Sequence, residues 1–290
     1  MYYGNGVNPA GNNPAKWPGY VGVWHMGEAS GTAYDSTTNE FNAVAVQNAR
    51  ARAADLVAVA DGAVGAARVN QASTTYYDRE DPWGAENRRN YLSASVGQDA
   101  GLGTRFTFSG WLRTTGYTEG GETVVYKMAS GYNWGWSIVR VHTTWNDDVG
   151  VNPGEDVWLT LRVTDGSKKL TVPNMRNSWV HLFVSFDRIA TNDAENPYKT
   201  VASAYANGVF LDTVQGSTRV RDNDLPLTFG NINSTTDGQA FSGQYDEMRL
   251  KLGASYANWA KAEYLTVTDS AFAAAGVVSS VNGGTLVIFR

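Results

Sequence analysis

The sequence predicts an all-β protein made of two packed antiparallel sheets. The chain is rich in residues typical of strands and turns, with 31 Gly, 15 Tyr and 10 Trp among its 290 residues. About ten short segments alternate apolar and polar residues, as half-buried strands do. These strands are not separated by helices in a βαβ rhythm, which argues against a parallel α/β sheet. Many short strands joined by turns are typical of a two-sheet sandwich.

Composition narrows the function classes. A hydrophobic content of 42% allows a packed core and argues against intrinsic disorder. The formal net charge of −5 argues against a nucleic-acid-binding protein. No apolar run approaches the ~18 residues of a membrane helix, so we expect no membrane insertion. The chain has 0 Cys, which excludes disulfides, thiolate metal sites and cysteine nucleophiles.

The predicted strands follow from period-two alternation bounded by turn residues. They are Val21–Met26, Gly65–Asn70, Arg105–Arg113, Thr123–Lys127, Trp136–Val141, Val157–Thr164, Trp179–Asp187, Val201–Ala206, Val209–Val214, Leu225–Gly230 and Gln244–Leu250. Asn207-Gly208 predicts a type I′ hairpin. The alanine-rich region 49–67 is expected to be strand and loop. Ser255–Ala275 predicts a short helix that ends before Thr266, so the fold class includes one or two short helices.

The late strand Phe241–Leu250 carries an adjacent pair of acids. Simple alternation places its side chains on two faces, with Asp246, Met248 and Leu250 on one and Tyr245, Glu247 and Arg249 on the other. Burying a lone carboxylate is costly, so Asp246 is expected at the rim of the core or in a pair.

The domain organisation predicted from composition has three parts. Residues 1–20, rich in Asn, Gly and Pro, are expected to be a linker or the remnant of a preceding domain. Residues 21–276 form the sandwich. Residues 277–290 are a C-terminal strand or the start of a following domain. A terminal strand of this kind is also a candidate for self-association through a sheet edge.

Several motifs, taken in order, resemble one family. They are VGVWHMGEASGTAYDSTTNEFNA at 21–43, RFTFSGWLR at 105–113, SWVHLFVSFD at 178–187, the hairpin ANGVFLDT and the strand FSGQYDEMRL. Together they resemble the laminin G-like, concanavalin A-like jelly rolls of bacterial surface proteins. ANWAKAEYLTVTDSAFAAAG resembles a helical closing segment found with such modules. The resemblance covers about residues 20–276.

This resemblance implies a jelly-roll sandwich in a secreted or cell-surface protein. It also implies binding of carbohydrate or of a cell-surface protein, as in adhesion, and a structural calcium ion at the rim. Asp246 matches the calcium-coordinating position of the family, and Asp35 is a weaker candidate for a second oxygen donor. The alternative for Asp246 is a carboxylate that accepts hydrogen bonds from backbone amides.

A carbohydrate platform is the second candidate site. The strand faces opposite the predicted core carry Trp111, Trp158, Arg162, Trp179, His181, Glu247 and Arg249. If these share one sheet, they form an aromatic and charged floor on which sugars can stack. In the alternative, a segment such as residues 71–90 covers this face and the aromatics form a minor core. The loop aromatics Trp83, Tyr132, Trp134 and Trp145 are other candidate contacts.

Catalysis is not expected. Related β-glucanases carry Glu-x-Asp-x-x-Glu on one strand, so that two carboxylates flank the scissile bond. The acids of YDREDPWGAE do not lie in a strand pattern, and Glu155 and Asp156 are adjacent and so face opposite ways. The sequence therefore predicts a non-catalytic binding or adhesion module. The alternative is a structural or assembly module that packs between domains or subunits.

Overall fold

Seventeen strands and one helix make up the regular structure of the described residues. The computed structural model describes residues 17–46, 58–70, 91–97, 100, 102, 105–115, 121–128, 135–141, 158–176, 178–220, 223–232, 240–269, 272, 279–281 and 284–286. In chain order the elements are β1 (Tyr20–Trp24), β2 (Ala43–Val46), β3 (Ala58–Val59), β4 (Ala67–Asn70), β5 (Tyr91–Ala94), β6 (Phe106–Thr114), β7 (Gly121–Met128), β8 (Gly135–Val141), β9 (Trp158–Val163), β10 (Gly166–Thr171), β11 (Val180–Ala190), β12 (Tyr198–Ala206), β13 (Val209–Gln215), β14 (Leu227–Phe229), β15 (Gly243–Leu252), α1 (Ala257–Thr268), β16 (Ser279–Val281) and β17 (Gly284–Leu286).

Two antiparallel sheets form the sandwich, and the predicted all-β class is confirmed. The eight-stranded sheet has the order β13-β12-β11-β6-β15-β4-β3, and β1 pairs with the same edge of β15 as β4 does. The seven-stranded sheet has the order β10-β9-β8-β7-β14-β5-β2. The last two strands, β16 and β17, pair with each other in a separate hairpin. This hairpin lies in the segment 277–290, for which the sequence predicts either a C-terminal strand or the start of a following domain.

The predicted strands form, and the structure adds β2, β5 and β10. The sequence of β10, GSKKLT, lacks the apolar alternation that predicts a strand, because four of its six residues are exposed to solvent. It lies at the edge of the seven-stranded sheet and pairs only with β9 there, and charged edge strands of this kind resist aggregation. The predicted end of the helix before Thr266 is wrong, because the helix continues through Thr266 to Thr268.

Aromatic side chains from both sheets meet in the core. Phe106 and Phe186, on neighbouring strands of the eight-stranded sheet, stack with ring centroids 4.1 Å apart. Trp136 of the seven-stranded sheet packs against both, at 5.6 and 5.1 Å. Burying each such ring contributes about 1.5–3 kcal/mol to folding, and the contacts between rings add about 0.5–1.5 kcal/mol each. The cluster therefore holds the two sheets together.

The hairpin between β12 and β13 turns at Asn207-Gly208, as the sequence predicts. Both residues have positive φ, 51° and 75°, which is the requirement of a type I′ turn. Asn207 also exchanges two hydrogen bonds with His181 of β11, from its own amide at 2.8 Å and to its side-chain oxygen at 2.9 Å. The turn is thereby fixed to the adjacent part of the sheet.

The single helix of the described residues lies on the outer face of the eight-stranded sheet. It buries only Ala260 and Glu263, and no side chain caps its N-terminus. Ala260 packs with Phe183 and Tyr205 of the sheet in a small apolar cluster. Helices without caps depend on tertiary contacts for their stability, so the attachment of this helix depends largely on those few side chains. No helix in the described part of the chain is long and apolar enough to cross a membrane.

Candidate functional site

A bulge in β15 determines which acids face the helix. Asp246 pairs with Trp111 and Arg249 pairs with Ser109. Between these pairs β15 has two residues, whereas β6 has one. Glu247 occupies the extra position with φ of 49°, a conformation that is uncommon for residues other than glycine. The extra residue reverses the alternation of the strand at that point.

The predicted faces of this strand are therefore wrong for Tyr245 and Asp246. Tyr245, Met248 and Leu250 belong to the core between the sheets. Asp246 and Arg249 lie on the outer face of the sheet, together with their partners on β6. Simple period-two counting could not detect this, because it assumes an uninterrupted ladder.

Glu247 is the centre of a buried ionic network on that outer face. Its Oε1 lies 2.7 Å from Nδ1 of His25, and its Oε2 accepts a hydrogen bond from Arg249 at 2.6 Å. Burial alone would raise the pKa of the Glu247 carboxyl, but the charge of Arg249 and the contact with His25 outweigh it and lower that pKa. Trp17 closes this side, with its ring 5.8 Å from both the His25 ring and the Arg249 guanidinium carbon.

The helix supplies a second acid to the same network. Oε2 of Glu263 lies 3.5 Å from Nε2 of His181 and 3.8 Å from a guanidinium nitrogen of Arg249. The indole nitrogen of Trp259, one turn earlier, donates a hydrogen bond to Oε1 of Glu263 at 2.8 Å. Burial would raise the pKa of Glu263, but the bond with His181 and the charge of Arg249 lower it to about 2. The acid is therefore ionised at neutral pH.

The expected open floor of aromatic and charged residues does not form. Trp111, His181, Glu247 and Arg249 are only 2–3% exposed. The Trp111 ring stacks on Tyr264 of the helix at 5.9 Å and contacts His181 at 5.0 Å. This matches the alternative in which the face is covered, with α1 as the cover. Residues 71–90, the segment suggested for that role, lie outside the described residues.

Two of the predicted contacts lie on the other sheet. Trp158 and Arg162 belong to β9 of the seven-stranded sheet, whereas Trp111 and His181 belong to the eight-stranded one. Leu159 and Leu161 of β9 face the core, so Arg162 faces the outer side of the seven-stranded sheet. The covered face is on the other side of the sandwich. The seven residues therefore cannot form one platform. The side chain of Trp158 and the loop aromatics Trp83, Tyr132, Trp134 and Trp145 lie outside the described part.

Trp179 is the predicted aromatic that remains accessible. It precedes β11 at the rim of the eight-stranded sheet and is partly exposed. The guanidinium carbon of Arg113 lies 5.0 Å from the centre of its ring, within cation–π distance. Its indole nitrogen donates a hydrogen bond to the backbone oxygen of Asp61 at 3.2 Å. The ring is thus held in a defined position at the surface.

Arg113 connects the polar residues around this ring. It donates from Nε to Oε1 of Gln244 and from Nη1 to Oδ2 of Asp61, both at 2.7 Å. The Asp61 side chain is 77% exposed, whereas that of Arg113 is 14% exposed. We call Asp61, Arg113, Trp179 and Gln244 the Trp179 rim. Sequence reasoning identified only Trp179, because the other three come from distant strands and loops and carry no common motif.

Asp35 organises a loop and does not fit a metal ligand. Its Oδ1 accepts hydrogen bonds from the amides of Val23 and Thr37, each at 2.9 Å. Its Oδ2 accepts from the Thr37 hydroxyl at 2.8 Å and from the amide of Phe41 at 3.0 Å. A carboxylate has about four acceptor positions, and all are occupied by protein donors. Asp35 therefore fixes residues 35–41 against β1.

Asp246, the other predicted calcium ligand, is buried beneath the loop of residues 60–66. Its Oδ2 accepts a hydrogen bond from the amide of Val64 at 2.6 Å, in agreement with the backbone-bonding alternative. Burial, reinforced by the nearby Glu247 charge, raises the pKa of Asp246 to about 8. A neutral acid is a poor ligand for a hard cation, and calcium takes 6–8 oxygens. Within the described residues no group of three or more His, Asp or Glu could hold a metal. Calcium stays a prediction.

Comparisons with known proteins identify the fold and no family. No family model matches the chain, and no curated protein matches it in sequence. Among solved structures, the chain is similar to domain 4 of an extracellular arabinanase from Geobacillus stearothermophilus, solved in complex with arabinotriose. The TM-score is 0.51 at 17% identity, with 83% of this chain and 96% of that domain covered.

Toxin binding domains are similar to a comparable degree. The binding domain of Paraclostridial Mosquitocidal Protein 1 gives a TM-score of 0.53 at 12% identity, covering 88% of this chain and 53% of that one. The binding domain of botulinum neurotoxin DC, solved with SialylT, gives 0.53 at 11% identity, covering 88% and 52%. This chain thus spans about half the length of those domains. At these identities the likeness shows a shared β-sandwich fold.

Proposed function

We propose that this chain is a non-catalytic carbohydrate-binding module of a secreted or cell-surface protein. The observation that carries the proposal is the Trp179 rim, where an accessible indole is fixed by Arg113 beside the exposed carboxylate of Asp61. Aromatic rings bind the apolar C–H face of sugars, and neighbouring polar groups bind their hydroxyls. An indole held in place before binding loses little entropy when a ligand stacks on it.

Similar folds supply further support. The arabinanase domain was solved with arabinotriose and the neurotoxin binding domain with SialylT, so this sandwich fold occurs in proteins solved with bound glycans. The laminin G-like resemblance of the sequence points in the same direction, and it implies calcium and a surface location.

The buried acids favour binding over hydrolysis. A glycosidase needs one carboxyl that is protonated near neutral pH and a second across the scissile bond. Glu247 is buried beside Arg249 and His25, and Glu263 is a buried residue of the helix. Arg249 and His25 lower the pKa of Glu247, and His181 and Arg249 lower that of Glu263. Asp246 has a raised pKa, but it is buried and bonded to a backbone amide. None of the three combines a suitable protonation state with access to a polymeric substrate.

A glycan array followed by calorimetry tests the proposal. We expect wild-type protein to bind at least one glycan class, and Trp179→Ala to weaken that binding at least about tenfold through loss of stacking. Tyr34→Ala is the matched control, because Tyr34 is an exposed aromatic elsewhere on the surface. Binding to no glycan overturns the proposal. Binding that is equally strong in Trp179→Ala overturns the assignment of the site.

A structural or assembly module is the second candidate. Val209 and Phe210, at the start of β13 beside the hairpin turn, are 66% and 52% exposed. Exposed apolar side chains beside one another offer a contact through which the chain could pack against another domain or subunit. Light scattering at increasing concentration tests this reading. Association that is lost in Phe210→Ser, in a protein that binds no glycan, favours assembly.

A further inference from the structure

The Trp179 rim exposes its negative charge to solvent and keeps its positive charge largely buried. Arg113 is the cation of the group, and its donors are directed at protein acceptors. Nε bonds to Gln244, Nη1 to the Asp61 carboxylate at 2.7 Å and Nη2 to the Asp61 backbone oxygen at 3.3 Å. The guanidinium is also mostly buried against the Trp179 ring. The positive charge therefore holds the rim together and is not presented to a ligand.

The negative charge of the rim is presented to solvent. The Asp61 side chain is 77% exposed, and its carboxylate accepts the Arg113 hydrogen bond through Oδ2. An ionised carboxylate is an acceptor only, and it can accept from two donors at once. Adjacent hydroxyl groups on a sugar ring are donors at matching spacing. Hydrogen bonds to a charged acceptor are also stronger than those between neutral groups.

Trp179 offers its apolar surface and not its polar edge. Its indole N–H is already bonded to the backbone of Asp61, and Arg113 lies over its ring. A ligand at this rim thus meets an aromatic surface and a carboxylate. A carboxylate or sulfate on the ligand would approach Asp61 as a like charge. Such a contact at about 4 Å weakens binding by about tenfold when the site is partly shielded from water.

We propose that the Trp179 rim selects neutral sugars with adjacent free hydroxyl groups and rejects sugars that carry carboxylate or sulfate groups. This inference rests on the proposed carbohydrate-binding function, and it names Asp61 as the residue that determines specificity. Asp61 accepts the hydroxyl donors, Trp179 stacks on the ring, and Arg113 keeps both in place.

The test uses an array of neutral and acidic oligosaccharides. It includes trisaccharides of glucose, galactose and mannose beside their matched hexuronates, which differ only in the group at C6. We expect binding to be confined to neutral glycans, or to be at least about tenfold weaker for the acidic partner. In Asp61→Asn, neutral binding should weaken while the difference between matched pairs falls to about threefold or less. The fold of each variant is checked by thermal unfolding.

Glu195→Gln is the control, since it changes the net charge by the same amount. Glu195 is exposed in the turn after β11, at the far end of the strand from Trp179. It should leave the discrimination unchanged. Binding to no glycan at all overturns the proposed function and this inference together. Acidic glycans that bind as tightly as neutral ones, with binding lost in Trp179→Ala, overturn only the ligand class. Discrimination that persists in Asp61→Asn overturns the role of Asp61.

Discussion

Oε2 of Glu263, on the helix, lies 3.5 Å from Nε2 of His181, on the sheet, and both side chains are buried. This contact joins the helix to the outer face of the sandwich at a point where few apolar contacts are available. Glu263 also lies within 3.8 Å of Arg249, which connects it to Glu247 and His25. The helix that covers the predicted sugar-binding face is therefore held by ionic contacts as well as by the apolar cluster of Ala260, Phe183 and Tyr205.

Replacing Glu263 should destabilise the protein. Glu263→Gln removes one of the two carboxylates beside buried Arg249 and the acceptor that faces His181, at a cost of about 2–4 kcal/mol in the free energy of unfolding. Because its pKa is lowered to about 2, this acid stabilises the fold above its unfolded pKa of about 4.3. The difference between wild type and variant should therefore shrink as the pH falls from about 4.3 to 2.

Urea unfolding across that pH range measures the effect. Lys261→Ala is the control, because Lys261 is exposed on the same helix and its loss should change stability by less than about 0.5 kcal/mol. Equal stability of Glu263→Gln and wild type at pH 7 would contradict the proposed role of the ionic network.

The contribution of Asp246 to the stability of the fold should depend on pH in the opposite direction to that of Glu263. Its pKa is raised to about 8 in the folded protein, so the folded state holds its proton more tightly than the unfolded state does. The resulting stability is complete below the unfolded pKa of about 3.9 and is lost as the pH rises toward 8. The loss reaches at most about 1.4 kcal/mol per pH unit. Asp246→Asn cannot ionise, and its amide oxygen can still accept the Val64 hydrogen bond.

A comparison of wild type with Asp246→Asn isolates the contribution of the Asp246 carboxyl. The melting temperature of wild type relative to Asp246→Asn should fall steadily between pH 5 and 8. Parallel pH profiles for the two proteins would show that Asp246 titrates normally, against the inferred burial of its neutral form.

Asp35 should be important for stability without any metal. Asp35→Ala leaves the amides of Val23, Thr37 and Phe41 without their acceptor, at a total cost of about 2–4 kcal/mol. Asp35→Asn retains part of the acceptor capacity and should cost less. Thermal unfolding with calcium and with a chelator should give the same loss. A loss seen only with calcium present would restore Asp35 as a ligand.

Calcium held at Asp246 would raise the melting temperature of wild type but not of Asp246→Asn.

The sequence predicted much of the sandwich and little of the site. Strands such as β6 and β11 are predictable because apolar residues alternate along them and meet Trp136 in the core. The bulge at Glu247 is not, because it depends on how two distant strands pair. The ionic role of Glu263 is also hidden, since a Glu in a helix normally faces water. Asp61 and Arg113 are 52 residues apart and meet only in the folded chain.

Hydrolytic activity is not expected. Incubation with laminarin, mixed-linkage glucan, agarose or carrageenan should release no new reducing ends, because Glu247 and Glu263 are buried and ionised. A β-glucanase run in parallel confirms that the assay detects cleavage. Product from purified protein that disappears in Glu247→Gln would overturn the non-catalytic assignment.

The environment of the Trp179 indole during glycan binding is the most direct test of the proposed site. With ¹⁵N-labelled tryptophan, the 10 Trp residues give separate indole N–H signals, and Trp179→Phe identifies the one that belongs to Trp179. Titration with the best glycan from the array should shift this signal saturably, with the dissociation constant measured by calorimetry. The Trp259 signal, from an indole bonded to Glu263, should stay unchanged. Saturable shifts confined to other Trp signals, with Trp179 unaffected, would contradict the account.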